Sequence, residues 1–261
     1  GIECKVCGEV TRHHRVKSRP SYSCDRCGHH EHPMVGTIFQ DTRTPLRSWF
    51  HAVFLMASTR CGISAKQLER EIGVTYKTAW RMFKQIRTLL AEDTNEMGGT
   101  LEADETYMGG KRWGKKGAKR GRPGPGSHKV PVFGVVERHG RVMAVTVPNV
   151  RKATLMPHIE QRVLPSTTIY TDELKSYSGL TRAGYHHRRV NHSEQIYVSG
   201  DVHTNTMEGF WSLLKRSIGG TNHAVSSKYL QTYLDEYSYR YNHRKDETPM
   251  FVGMLSQVSK S

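Results

Sequence analysis

Three acidic residues stand where a pair of metal ions could be held. Asp104 lies in a strand-like stretch whose alternation turns it away from its apolar neighbours. Asp172 ends the apolar run 168–172, and α/β sheets place their sites at such strand ends. Glu208 lies near the start of a predicted helix. Two aspartates on strands and an acid on a facing helix can hold two Mg²⁺ (or Mn²⁺) ions about 4 Å apart, which suits chemistry at a phosphodiester.

The helix that carries Glu208 separates an apolar stripe from a polar face. The stripe comprises Met207, Phe210, Trp211, Leu214 and Ile218. At about 100° per residue, the polar face comprises Asn205, Glu208, Ser212 and Lys215. We therefore expect Glu208 to point at the sheet edge, with Asn205 and Lys215 in the same catalytic site and Lys215 placed to hold a phosphate. The alternative is three unrelated surface acids.

Two CxxC pairs near the start of the chain have the spacing of a four-thiolate zinc knuckle. They comprise Cys4, Cys7, Cys24 and Cys27. Each CxxCG turn presents two thiolates, so two turns can close a tetrahedron around one structural Zn²⁺. Two disulfides are the alternative, and His29, His30 or His32 could replace a thiolate. The fifth cysteine, Cys61, is predicted to be a small core residue.

The region that follows predicts a helix-turn-helix. One helix begins at the capping box 64–67 and ends at Gly73, and a second runs from about Tyr76 to Leu90. The second helix presents basic and hydroxyl side chains that we expect to face outward and to bind DNA. They are Lys77, Thr78, Arg81, Lys84 and Arg87. An ordinary helical hairpin with a solvated basic face is the alternative.

The charge balance points to a polyanionic partner. The formal net charge is +15 among 261 residues. The Gly-rich stretch 109–128 contains no acid and seven basic residues expected to contact DNA phosphates: Lys111, Arg112, Lys115, Lys116, Lys119, Arg120 and Arg122. A merely solvated loop is the alternative.

The sequence contains no candidate membrane span or signal peptide. Its longest apolar run, 52–57, is too short to cross a bilayer, and no signal peptide begins the sequence. These features predict a cytoplasmic, nucleoid-associated protein with no membrane partner.

Strand and helix patterns predict an α/β fold with a mixed sheet and flanking helices in the second half of the chain. Strands are expected near 100–105, 130–137, 141–148, 167–172 and 185–191, and helices near 153–164, 204–217 and 227–242. The predicted organisation is a zinc ribbon at 1–39, a helix-turn-helix region at 40–95 and a catalytic domain at 100–250.

Several long motifs together resemble the DDE transposases of bacterial insertion sequences, specifically the ISXO-like group. They are the two CxxC pairs, 36–39 with 45–49, 62–64 with 73–80, 102–107, 170–172, 203–215 and 239–242. The resemblance implies an RNase H-like catalytic domain with metal-binding Asp104, Asp172 and Glu208. It implies cleavage and strand transfer of DNA at the terminal inverted repeats of a transposon. Because two ends must be joined, at least a homodimer is expected. Relatives usually have more residues before the first CxxC, so the N-terminus is expected to be truncated.

Two other functions remain open from the sequence. The first is a catalytically inactive, domesticated DNA-binding regulator that uses only the ribbon and the helix-turn-helix. The second is an RNase H-like nuclease that cuts DNA without integrating it.

Overall fold

The computed structural model describes residues 1–59, 61–92, 96–109, 129–190 and 204–259. In these ranges the chain forms a ribbon of short strands, a group of helices and a mixed α/β layer, in that order. None of the helices in these ranges combines the length and the apolar character that a membrane span requires.

The N-terminal ribbon contains two small antiparallel sheets. The first pairs β1 (Ile2–Glu3) with β2 (Val10–Thr11). The second has the order β3 (His13–Arg15), β4 (Tyr22–Cys24) and β5 (His30–Glu31). The glycines after the second cysteine of each pair, Gly8 and Gly28, have φ of 69° and 70°. A knuckle turn needs this left-handed backbone, which glycine adopts without strain.

Three helices follow: α1 (Leu46–Ser58), α2 (Ala65–Ile72) and α3 (Tyr76–Thr88). The Ser64 side chain accepts a hydrogen bond from the Gln67 amide at the start of α2, and Gly73 ends that helix in the left-handed region. Thr75 caps α3 in the same way, through the amide of Thr78. The two predicted helices and the turn between them are therefore present, with α3 ending two residues before the expected Leu90.

Two expectations for this region are wrong. Arg87 does not face outward: it is 4 % exposed, and its Nε donates to Glu236 Oε2 at 2.7 Å. A helical surface pattern cannot show that another element covers the last turn of α3. Cys61 is not a core residue, because it lies exposed in the turn after α1.

The central sheet has five strands: β6 (Thr100–Met108), β7 (Val130–Glu137), β8 (Val142–Thr146), β9 (Thr168–Thr171) and β10 (His186–Arg189). Their order is β10-β9-β6-β7-β8. β7 is antiparallel to β6 and β8, whereas β9 runs parallel to β6 and β10. This order and these directions are those of the RNase H-like fold.

Helices cover both faces of this sheet. On one side lies α4 (Lys152–Glu160), with a core that includes Leu101, Ala103 and Phe133. On the other side lie α5 (Asn205–Ser217) and α6 (Leu230–Asn242), with a core that includes Met207 and Trp211. Asp104 is thus on the face opposite Leu101 and Ala103, as the alternation predicts.

The helices α1 to α3 share a hydrophobic core with the C-terminal part of the chain. Tyr239 of α6 and Met254 of α7 (Met250–Ser256) pack in the same cluster as Trp49, Leu68 and Phe83. The sequence pattern did not predict α7. The buried Arg87–Glu236 pair crosses this interface, and Arg240 also donates to Glu236, at 2.9 Å.

Candidate active site

Asp104, Glu105 and Asp172 come together where β9 ends beside the middle of β6. β6 and β9 are parallel neighbours, and their last register pair is Ala103 with Thr171. The residue that follows each member of this pair in the sequence is an aspartate, so Asp104 and Asp172 lie side by side. Ligand atoms of all three acids lie within 4.8 Å of one another, as expected of a group that can hold a cation. Carboxylate oxygens are the donors that Mg²⁺ prefers.

Burial and crowding raise the pKa values of Asp104 and Glu105. Burial, and next the charge of Asp172, raise the pKa of Asp104 to about 6. The same two causes, in the same order, raise the pKa of Glu105 to about 7. Partly buried like charges disfavour ionisation, and a bound cation would relieve that cost. The donor set and its electrostatics therefore fit a divalent metal ion.

The hydroxyl of Tyr177 holds Glu105 in place. Tyr177 is fully buried, and its OH donates to Glu105 Oε2 at 2.8 Å. Sequence reasoning missed Glu105, because strict alternation assigns it to the face opposite Asp104. The signal available was the adjacent pair of acids, Asp104 and Glu105, within a strand that is otherwise largely apolar or uncharged on both sides of them.

Glu208 is near this group but is not a member of it. It is exposed on the first turn of α5, and its Oε1 accepts a hydrogen bond from Thr204 Oγ1 at 3.2 Å. After burial and Asp172, the charge of Glu208 is a further cause of the raised pKa of Asp104. The helix thus brings Glu208 within electrostatic reach of the strand aspartates.

The other two predicted residues of α5 are also on its exposed side. Asn205 is the exposed first residue of the helix. Lys215 lies near its end; burial lowers the pKa of the ammonium group, and the charge of Asp104 acts in the opposite direction. Lys215 and Asp104 therefore interact electrostatically.

The four cysteines of the ribbon form one compact group. Their sulfur atoms lie within 4.8 Å of one another, with Cys4 and Cys27 Sγ atoms 3.6 Å apart. Every cysteine among the described residues is a free thiol, so this structure favours a metal knuckle over two disulfides. The Thr11 hydroxyl, the largest cause, helps to lower the pKa of Cys24 to about 6, which favours the thiolate that zinc binds. No histidine belongs to this group as the described residues define it.

The start of α3 presents both basic and aromatic side chains. Lys77 and Arg81 are exposed, and with Tyr76 and Trp80 they line an open cavity of about 500 Å³. Thr78 is half-buried, and its Oγ1 lies 3.1 Å from Thr75 Oγ1 within the helix cap. The sequence interpretation missed the two aromatic residues.

The seven basic residues predicted in the loop 109–128 lie outside the described residues.

Comparison with known proteins identifies the family. The sequence profile of the ISXO2-like transposase domain matches residues 96–242, more than half of the chain. This chain belongs to the ISXO2-like transposase family.

Two relatives agree with this assignment. The transposase is 30 % identical over 256 residues to a protein in the transposable element ISH50 of Halobacterium salinarum, covering 92 % of this chain and 85 % of that one. It is 32 % identical over 120 residues to a transposase-like protein of Haemophilus influenzae, covering 46 % of this chain and 94 % of that one. Among solved structures, the chain is similar to that of the Mos1 strand transfer complex, with a TM-score of 0.32 and 10 % identity over 84 % of this chain and 77 % of that chain.

Proposed function

We propose that this transposase cleaves DNA at the terminal inverted repeats of its element and transfers the cut strands to target DNA, in a reaction that depends on Mg²⁺. The observation that carries the proposal is the side-by-side position of Asp104 and Asp172, where β9 ends beside the parallel strand β6, in an ISXO2-like transposase. Two bound divalent ions would supply activation of the attacking oxygen and stabilisation of the leaving oxygen.

The residues of the chain hold and orient the reacting groups. Asp104 and Asp172 supply carboxylate oxygens from the sheet, and Glu208 supplies a third carboxylate from α5. Glu105 adds a fourth carboxylate, fixed by Tyr177. Lys215 and Asn205 lie on the same helix as Glu208, where Lys215 can hold a phosphate and Asn205 can donate to a phosphate or sugar oxygen.

DNA binding is assigned to the N-terminal half and the basic loop. The ribbon at 1–39 holds one structural Zn²⁺, and the region 40–95 presents Lys77, Thr78 and Arg81 to DNA. The loop at 109–128 adds phosphate contacts that read no bases. The domain at 100–250 carries the reaction. Joining two ends requires at least two copies of the chain, and a chromosomal substrate places the reaction at the nucleoid.

The test is a strand-transfer assay on DNA that carries the inverted repeats flanking the gene. The wild-type protein should cut and join this DNA with Mg²⁺ or Mn²⁺ and should be inactive without a divalent ion. Asp172→Asn should bind the repeats and leave them uncut. Binding without cleavage by the wild-type protein would favour the inactive regulator, and cleavage without joining would favour the nuclease.

A further inference from the structure

Glu102 is a fully buried acid whose two carboxylate oxygens bind groups on two other elements. It lies on β6 and is 0 % exposed. Its Oε2 accepts a hydrogen bond from the Met207 amide at 2.9 Å, and its Oε1 accepts one from Thr206 Oγ1 at 2.9 Å. The Nε of Arg138 donates to the same Oε1 at 2.9 Å, so the buried charge has a partner.

These contacts make Glu102 the cap of helix α5. The residue in the N-cap position, Thr204, makes no side-chain cap bond, because its hydroxyl donates to Glu208 instead. Met207 is the third residue of α5, and its amide is a donor that an N-cap side chain ordinarily satisfies. A carboxylate from the neighbouring strand does so here, and its charge also complements the positive end of the helix dipole.

The same strand binds α5 through a second hydrogen bond, one helical turn further along α5. Asp104, two residues after Glu102 and on the same face of β6, accepts a hydrogen bond from Trp211 Nε1. Arg138 extends the arrangement to β9, since its guanidinium lies 4.5 Å from the centre of the Tyr170 ring, two residues before Asp172. Glu102 therefore connects the elements that carry Asp104, Asp172 and Glu208.

We propose that Glu102 is a positioning residue that fixes the first turn of α5, and with it Glu208, at the distance from Asp104 that metal binding requires. This proposal rests on the proposed function, because it assumes that these acids hold metal. Groups that orient metal ligands typically change affinity by about 10- to 100-fold when they are removed. In Glu102→Gln the side-chain amide keeps one acceptor oxygen but turns a donor toward a site where three donors converge.

The test compares Glu102→Gln with Glu137→Gln in the full-length, zinc-loaded protein. Glu137 is a suitable control, since it also accepts backbone N–H bonds, from Gly98 and Arg141, and pairs with an arginine. It lies one register position from Glu102, opposite Leu101, and strand alternation places its side chain on the other face of the sheet. Two readouts are needed: hydrogen exchange of the Met207 amide without added metal, and Mn²⁺ binding by electron paramagnetic resonance. Glu102→Gln should speed exchange at least tenfold and weaken Mn²⁺ binding at least tenfold, and Glu137→Gln should change neither.

A second variant covers the case in which Glu102→Gln fails to fold. Thr206→Val removes one hydrogen bond and leaves the Glu102–Arg138 pair intact, and it should speed the exchange and weaken Mn²⁺ binding several-fold each. Wild-type exchange and wild-type Mn²⁺ affinity in the folded variants would overturn the positioning role while leaving the proposed function in place. A wild-type protein that binds no Mn²⁺ and cuts no DNA would overturn both.

Discussion

The indole Nε1–H of Trp211 donates a hydrogen bond to Oδ2 of Asp104 at a distance of 2.9 Å. The large ring reaches this carboxylate because the residue across from Asp104 on β7 is Gly134. A Cβ built on Gly134 would lie 2.7 Å from two carbons of the Trp211 ring and 2.3 Å from Met207 Cε. The missing side chain at Gly134 thus lets α5 lie close to the sheet beside the proposed metal ligands.

We expect Gly134→Ala to push α5 away from the sheet. Real Cβ atoms do not approach other atoms this closely, and overpacking of a buried site typically costs about 1–3 kcal/mol. Thermal or urea unfolding should show this loss, and the strand-transfer rate should fall because Glu208 moves with the helix. Gly209→Ala is the matched control on the same helix, since its Cβ would meet nothing within 4 Å. That variant should be neutral or slightly stabilising. Equal stability of the two variants would contradict close packing at Gly134.

The ribbon should depend on zinc for its fold. The described part of the ribbon buries few apolar side chains besides its cysteines, so metal binding has to supply most of its folding free energy. Cys24→Ser should lower the zinc content from about one ion per chain toward zero and unfold residues 1–35, as seen by metal analysis and limited proteolysis. Cys61→Ser is the control, since Cys61 is exposed and lies outside the sulfur cluster. A zinc-free wild-type protein with an intact ribbon would contradict this expectation.

Local sequence patterns predicted most of the fold, and the exceptions have a common cause. The cap at Ser64, the helix end at Gly73 and the opposite faces of Ala103 and Asp104 each depend on a few neighbouring residues, and the structure confirms them. The burial of Arg87 depends instead on Glu236, which is 149 positions away in the sequence. A pattern read along one helix cannot reveal such a partner.

The candidate site likewise contains residues that local sequence patterns predicted and residues whose role depends on distant parts of the chain. The register of β6 and β9 brings Asp104 beside Asp172. Asp104 was predicted from the alternation along its strand and Asp172 from the end of its strand. Glu105 and Glu102 were not predicted, because their importance comes from Tyr177 and from the first turn of α5, which only the folded chain brings near. An acid in the middle of a buried strand is the signal that could have indicated Glu102.

The basic loop should bind DNA through phosphates alone. Replacing its seven lysines and arginines with Gln or Ser should weaken DNA binding equally for repeat and unrelated sequences. The slope of log affinity against log salt should become shallower by about 0.9 for each phosphate that the loop no longer neutralises. Gel-shift titrations at several salt concentrations measure this slope. An unchanged slope would show that the loop does not touch the backbone, and a weaker preference for the repeats would show that it reads bases.

The stability of the protein without added Mg²⁺ should fall as the pH rises from about 5 to about 8. The folded-state pKa values of Asp104 and Glu105, about 6 and about 7, exceed the values near 4 expected in the unfolded chain. Between these values the native state binds more protons than the unfolded state, so the free energy of unfolding decreases with increasing pH. The decrease should be on the order of a few kcal/mol.

The contribution of these two acids to the pH dependence of stability is measured by comparing variants with the wild-type protein. Asp104→Asn should flatten the fall in stability with pH, and Glu160→Gln, which changes an exposed acid on α4, should not. Added Mg²⁺ should restore stability most at the high end of the range, where the carboxylates are ionised and can bind it. A wild-type stability curve that rises from pH 5 to 8 and coincides with that of Asp104→Asn would contradict the raised pKa values.

Glu208→Gln should abolish cleavage and strand transfer and leave binding to the transposon ends intact. The substitution keeps the shape of the side chain but removes the negative charge that α5 contributes opposite Asp104. Loss of one such electrostatic contribution in a two-metal reaction costs several kcal/mol, which is about a thousandfold in rate or more. The fold should survive, since Glu208 is exposed and the hydrogen bonds of α5 to β6 come from Thr206, Met207 and Trp211. A strand-transfer assay beside a gel-shift assay measures the two properties, with Glu160→Gln as the control for an exposed helical acid.

Wild-type cutting and joining by Glu208→Gln would leave Glu105 as the third acid, since it already shares a site with Asp104 and Asp172. Loss of both activity and end binding would instead show that Glu208 maintains the helix on which the whole protein depends.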